Sequence, residues 1–129
     1  MEETTPLQDQ TTQLEVEIIA VEEHQHGAVL RLSGEVDLAT AQRLVTAFLE
    51  LADRRLTEVI IDASLVTFMD STGVHALTQG KARIHEVGSR IALITSPQVR
   101  RVLELIFPEP LFAARVDTME KAREALGWD

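Results

Sequence analysis

The fold is decided by residues 59–73, which read VIIDASLVTFMDSTG. This stretch opens with a short apolar run that ends at Asp62. Such a run is typical of a central β-strand that is covered on both faces. A loop is predicted to follow, and residues 70–73 then open a helix. A buried strand that leads through a loop into a helix indicates an α/β domain with a mainly parallel sheet.

The hydrophobic periodicity on either side extends this pattern. Alternating residues from Leu14 predict a strand, a polar turn over residues 22–27 predicts a hairpin, and a second strand over 28–32 is expected to stop at Ser33-Gly34. The order is β-β-α-β-α-β-α-β-α, which predicts one α/β domain over residues 14–127 with an antiparallel N-terminal edge and about four helices. Residues 1–13 are polar and acidic, and we expect a loose tail there. The helices are predicted over 41–53 behind Thr40, over about 72–87, from Pro97 to before Pro108, and after Asp117.

The charge balance argues against two classes of partner. The chain has 21 acidic and 12 basic residues and a net charge of −9, and nine of the acids but only one base fall in residues 1–40. Nucleic acids and anionic membranes need clustered cations, so we expect neither as a partner. There is no cysteine, which excludes disulfides, thiol catalysis and cysteine-bound metals. An acidic start and no membrane-length apolar run lead us to expect a cytoplasmic protein.

The local chemistry of the helix start leaves two interpretations open. Ser71 would stand at a helix N-terminus, where unpaired N–H groups and the helix dipole accommodate a phosphate. Alternatively, Asp70 or Ser71 is only a helix cap. The pattern lacks a nucleophile elbow and a phosphate-binding P-loop, so we predict no catalytic residue, metal ligand or cofactor. Glu35 and Asp37, in the loop after the second strand, predict a solvated loop or a partner-recognition patch.

Four segments together carry a family resemblance. The sequence resembles the STAS domain, and in particular the bacterial anti-sigma factor antagonists, over about residues 14–127, with TFMDSTG as the most specific element. The four segments are LSGEVD (residues 32–37), VIID (59–62), TFMDSTG (67–73) and SPQVRRVL (96–103).

The resemblance implies a partner-switching role. The unphosphorylated protein would bind an anti-sigma factor that is also a serine kinase, and so release the sigma factor. The kinase would phosphorylate Ser71, and a serine phosphatase would reverse the modification. Asp37 maps onto a family loop residue at the partner-facing surface, and a weak homodimer is left open. The residues predicted to contact the partner are Glu35, Asp37, Asp70, Thr72, Gly73 and His75.

Two features depart from the family pattern, and two other functions are alternatives to the partner switch. His75 stands where family members commonly have glycine, and Pro108 and Pro110 replace a glycine-containing turn. One alternative is a STAS subunit of a transport complex or a stressosome-like scaffold, although the phosphorylatable DSTG element favours the switch. The other is a small hydrolase that uses Asp70 and Ser71, with His75 as the only nearby base.

Overall fold

The computed structural model describes residues 13–85, 88, 90–106 and 114–128. Within these residues, five strands form one sheet in the order β1-β2-β3-β4-β5, with β1 antiparallel to β2 and all other neighbours parallel. The predicted α/β domain with an antiparallel edge and four helices is therefore confirmed. The elements are β1 (Leu14–Ala20), β2 (Gly27–Val36), α1 (Ala41–Asp53), β3 (Glu58–Met69), α2 (Ser71–His85), β4 (Arg90–Thr95), α3 (Pro97–Ile106), β5 (Ala114–Val116) and α4 (Met119–Ala125).

Several predictions concern residues outside this described part. The predicted loose tail falls there except for Gln13, whose carbonyl oxygen accepts the backbone N–H of Glu35 at 2.9 Å. The turn with Pro108 and Pro110 also lies outside the described residues. Among the described residues, none of the helices is both long enough and apolar enough to cross a membrane.

The N-terminal hairpin follows the predicted alternation. Leu14 is buried, whereas Glu15 and Glu17 are exposed, because successive side chains of a strand point to opposite faces. Glu17 pairs in register with Arg31 on β2, and their charged groups lie 3.7 Å apart. The acidic side chains of β1 therefore line the exposed face of this sheet edge.

The predicted ends of two strands are wrong. β2 continues through Ser33 and Gly34 to Val36, and β3 continues past Asp62 to Met69. Gly34 does not end the strand: its φ of +117° is a conformation that side chains disfavour, and a Cβ there would overlap the carbonyl oxygen of Gln13. The two extensions pair with each other. Their register shifts twice, once between Arg31 and Ser33 and once between Gly34 and Glu35. The extra residues of the two register shifts lie opposite, in β3.

These bulges also explain why the second half of β3 does not look like a strand in the sequence. Its buried residues are Ala63, Val66 and Met69, which are spaced by three rather than two. A register shift changes which residues face the core, so the simple alternation that predicts a strand is lost.

The sheet is covered on both faces. Helices α1, α2 and α3 pack on one face, where Phe48 and Leu77 are fully buried. Helix α4 and Trp128 cover the other face over Ile60. The Trp128 indole donates to Glu58 Oε1 at 3.1 Å and stacks on the His24 ring with centroids 5.0 Å apart.

Two predicted helix starts need correction. Thr40 precedes α1, but its side chain does not cap the helix and instead donates to the carbonyl oxygen of Glu35 at 2.7 Å. The residue that caps α4 is Thr118, which accepts the backbone N–H of Lys121 at 3.1 Å, and not Asp117. At α1 the Thr40 hydroxyl is engaged by the preceding loop, and at α4 the cap lies one residue later than the sequence predicts.

Candidate functional site

The carboxyl ends of β2 and β3 bring the predicted site together. Val36 and Met69 are partners in the parallel ladder, and the backbone N–H of Asp70 donates to the carbonyl oxygen of Val36 at 3.3 Å. The loop that begins at Asp37 and the helix that begins at Ser71 therefore start side by side. Parallel strands place such loops at one edge of the sheet, where α/β proteins usually bind their ligands and partners.

Asp70 is the N-cap of α2. Its Oδ1 accepts the backbone N–H of Gly73 at 3.1 Å, and its carbonyl oxygen accepts that of Val74 at 3.1 Å. This satisfies one of the N–H groups that a helix start leaves unpaired. Of the two capping candidates in the sequence, Asp70 takes the role and Ser71 is left as the first helical residue.

Ser71 presents the accessible hydroxyl of the motif. Its side chain is exposed, whereas the neighbouring Thr72 is half-buried. The first turn of α2 contains no acidic residue. A negatively charged group attached to Ser71 would therefore lie at the positive end of the helix dipole without needing to enter the core.

Gly73 allows α2 to approach the sheet closely. A Cβ at this position would lie 2.8 Å from Cγ1 of Val36 and 2.8 Å from Cγ of Met69. The residue is buried, so the structure gives it a packing role under the exposed Ser71. Gly73 thus fixes the helix start against the ends of the two strands.

The Asp37 carboxylate is held by its own loop. Its Oδ1 accepts the backbone N–H groups of Ala39 at 3.0 Å and Thr40 at 3.1 Å, and the Asp37 N–H donates to the Thr40 hydroxyl at 3.0 Å. Such a turn orders the loop beside the start of α2. Both Asp37 and Glu35 remain half-buried and reachable from solvent.

His75 is exposed one helical turn after Ser71. Both residues belong to the described part of the chain, and no hydrogen bond joins them there. A serine nucleophile is normally activated by such a hydrogen bond to a base. The arrangement therefore gives no support to the hydrolase interpretation. The described residues also contain no group of three or more His, Asp or Glu that could hold a metal ion.

Two exposed apolar residues near the site were missed by the sequence reasoning. Leu38, next to Asp37, is 80 % exposed, and Phe68, which pairs in register with Glu35, is 48 % exposed. Large apolar side chains at the surface often mark protein-binding sites. The signal in the sequence was Phe68 itself, but its exposure depends on the bulges of β3, which the sequence did not reveal.

The fold agrees with comparisons to known proteins. The family model described as Mlab, STAS domain matches residues 19–106, which is more than half of the chain. The chain belongs to the STAS domain family.

Within this family, the chain is similar to particular anti-sigma factor antagonists. The chain is 36 % identical over 66 residues to the anti-sigma-F factor antagonist RsfB of Mycobacterium tuberculosis, which covers 51 % of this chain and 54 % of the relative. The chain thus spans about half the length of the curated relatives it matches. An anti-sigma factor antagonist from Mycobacterium paratuberculosis has a similar structure, with a TM-score of 0.72 and 25 % identity over 89 % of this chain and 95 % of the other.

A further solved structure is that of the Bacillus cell fate determinant SpoIIAA in its phosphorylated form. It has a TM-score of 0.65 and 23 % identity over 85 % of this chain and 97 % of the other. At this identity, the likeness shows a shared fold.

Proposed function

We propose that this protein is an anti-sigma factor antagonist, a regulatory binding module without catalysis of its own. Its unphosphorylated form binds an anti-sigma factor that is a serine kinase, and phosphorylation of Ser71 ends that binding. The observation that carries the proposal is the exposed Ser71 hydroxyl at the first position of α2, beside the ordered Asp37 loop. The similarity to RsfB supports the class of partner.

A phosphate on Ser71 would act through charge. It adds about −1.5 to −2 charges at neutral pH. The neighbouring carboxylates are those of Asp37 and Asp70, so a partner surface that fits the unmodified site would meet a strongly increased negative charge. Repulsion and desolvation at the contact weaken binding without a change of fold. SpoIIAA, which shares this fold, has also been solved in a phosphorylated form.

The other site residues take different roles in this proposal. Asp70 and Gly73 place the helix start, Asp37 orders the adjacent loop, and Glu35, Thr72 and His75 border the contact. The exposed Leu38 and Phe68 add apolar area to the same contact. Residues 14–127 form the acting domain, and the setting is the cytoplasm, where the kinase and a serine phosphatase act on it.

The test is the identity of the captured partner. Wild type and Ser71→Ala are used as baits in native cytosol, with Ser71→Asp as a matched charged bait, and the wild type is analysed by intact mass after recovery. A captured protein with a serine-kinase domain, absent from the Ser71→Asp bait, together with one phosphate on Ser71 supports the proposal. Capture of a transporter ATPase by all three baits, with Ser71 unmodified, would instead establish the transport-subunit alternative.

A further inference from the structure

A second candidate site lies at the carboxyl ends of β4 and β5, on the same edge of the sheet as Ser71 but on different strands. A solvent-open cavity of about 390 Å³ lies there between the end of β4, helix α3 and the start of α4. This is within the usual size range of small-molecule sites, and the carboxyl edge of parallel strands is where such sites form. The principal lining residues are Thr95, Arg100, Glu104, Arg115, Asp117 and Lys121.

Not every charged side chain that lines this cavity belongs to an ion pair. Lys121 Nζ lies 3.1 Å from Asp117 Oδ1, so these two charges satisfy each other. Within the described residues, Arg100 and Arg115 form no ion pair with a carboxylate. Arg115 therefore lies at the cavity without an ion-pair partner among the described residues, whereas the positive charge of Arg100 helps to lower the pKa of Asp117.

Arg115 gives the stronger indication of a ligand. Its Nη1 is shielded from solvent and, within the described part of the chain, has no hydrogen-bond partner. A buried polar nitrogen without a partner is rare in folded proteins, and it is costly because the group has lost its hydration. A ligand that accepts a hydrogen bond from this nitrogen would remove that cost.

We propose that this cavity binds a small phosphate monoester that also carries hydroxyl groups. Guanidinium groups match phosphate oxygens in both geometry and charge, so Arg115 and Arg100 would hold the phosphate. The volume exceeds what a phosphate ion needs, and it leaves room for an organic part. The carboxylate of Glu104, at the same cavity, accepts hydrogen bonds and would select hydroxyl groups on that part.

This site is independent of the proposed switch. None of its lining residues belongs to the Asp37 loop or to the first turn of α2. If the antagonist function is disproved, the ligand proposal is unaffected. If the ligand proposal is disproved, the antagonist function is unaffected.

The experiment measures thermal unfolding with glycerol 3-phosphate or inorganic phosphate, against sodium chloride at equal ionic strength. Glycerol 3-phosphate is expected to raise the Tm of the wild type with saturation, and inorganic phosphate to do so at higher concentration. Arg115→Gln should weaken the apparent affinity for glycerol 3-phosphate at least tenfold, and Arg100→Gln should weaken it less. Arg54→Gln, on a surface arginine paired with Glu50, is the matched control and should bind as wild type does.

Phosphate can also stabilise proteins without binding to a site. An equal rise of Tm in the wild type and in Arg115→Gln, or no rise at all, would overturn the proposal. If Arg115→Gln does not fold, amide NMR shifts of the wild type decide instead. Saturable shifts at Thr95, Arg115 and Lys121 support the site, and shifts that avoid these residues contradict it.

Discussion

The backbone N–H of Asp70 donates to the carbonyl oxygen of Val36 at 3.3 Å, which ties the residue after β3 to the last residue of β2. Val36 also receives the close approach of Gly73 from α2. The start of the helix and the start of the Asp37 loop are therefore held next to each other by these contacts. A charge placed on Ser71 changes the same small area of surface that the Asp37 loop forms.

The cap at Asp70 can be tested by comparing two substitutions. Asp70→Ala removes the acceptor for the Gly73 N–H and should lower the free energy of unfolding by about 0.5–2 kcal/mol. Asp70→Asn keeps an oxygen acceptor and should remain close to wild type. Denaturant unfolding of both variants measures the difference, and equal stability of the two variants would show that the cap contributes nothing.

Gly73→Ala tests the close packing under the site. An added methyl group would lie within van der Waals overlap of Val36 and Met69, so we expect a loss of about 1–3 kcal/mol in the free energy of unfolding. Gly80→Ala, which overlaps the Phe48 ring, should behave in the same way. Replacing an exposed helical glycine by alanine normally stabilises a helix by about 1 kcal/mol, so a gain in stability would contradict the packing.

The Asp37 carboxylate has a structural and an electrostatic role that can be separated. Asp37→Asn keeps an acceptor for Ala39 and Thr40 and should fold normally. The rate of association with the captured kinase should fall with rising salt for the wild type, and Asp37→Asn should reduce that dependence. Asp53→Asn, at the exposed end of α1, is the control and should keep the wild-type salt dependence. A salt-independent association rate of the wild type would refute the electrostatic role.

Asp117 and Lys121 predict a pH effect at the second cavity. The hydrogen bond and charge of Lys121 lower the pKa of Asp117 below its ordinary value of 3.8. Since the folded-state pKa is depressed, the pair stabilises the fold above the ordinary pKa, and this contribution is lost as the pH falls through the lowered value. A carboxyl NMR titration should show a higher pKa in Lys121→Gln. An unchanged pKa would mean that the pair does not form in solution.

The sequence predicted regular elements better than irregular ones. The bounds of α1 were predicted correctly because its apolar residues repeat at helical spacing, and the order of strands followed from their apolar runs. The ends of β2 and β3 were predicted wrongly, because Gly34 looks like a strand end but continues the strand with a positive φ, opposite the bulges of β3. Burial every third residue in β3 has no simple sequence signature.

The sequence provides the candidate residues of the site but not their geometry. Asp70 and Ser71 are candidates from the TFMDSTG segment and Asp37 from the LSGEVD segment, whereas the hydrogen bonds of Asp37 within its own loop depend on the backbone geometry after β2. The second cavity could not be predicted, since Thr95, Arg100 and Arg115 are separated in sequence and meet only through the parallel order of β4 and β5.

The affinity of Ser71→Asp for the captured kinase tests the central claim most directly. Thr46→Asp introduces the same charge at an exposed hydroxyl of α1 and serves as the matched control. The account predicts at least a tenfold weaker Kd for Ser71→Asp, with a Tm near that of wild type and a wild-type Kd for Thr46→Asp. Equal Kd values for Ser71→Asp and wild type would contradict it.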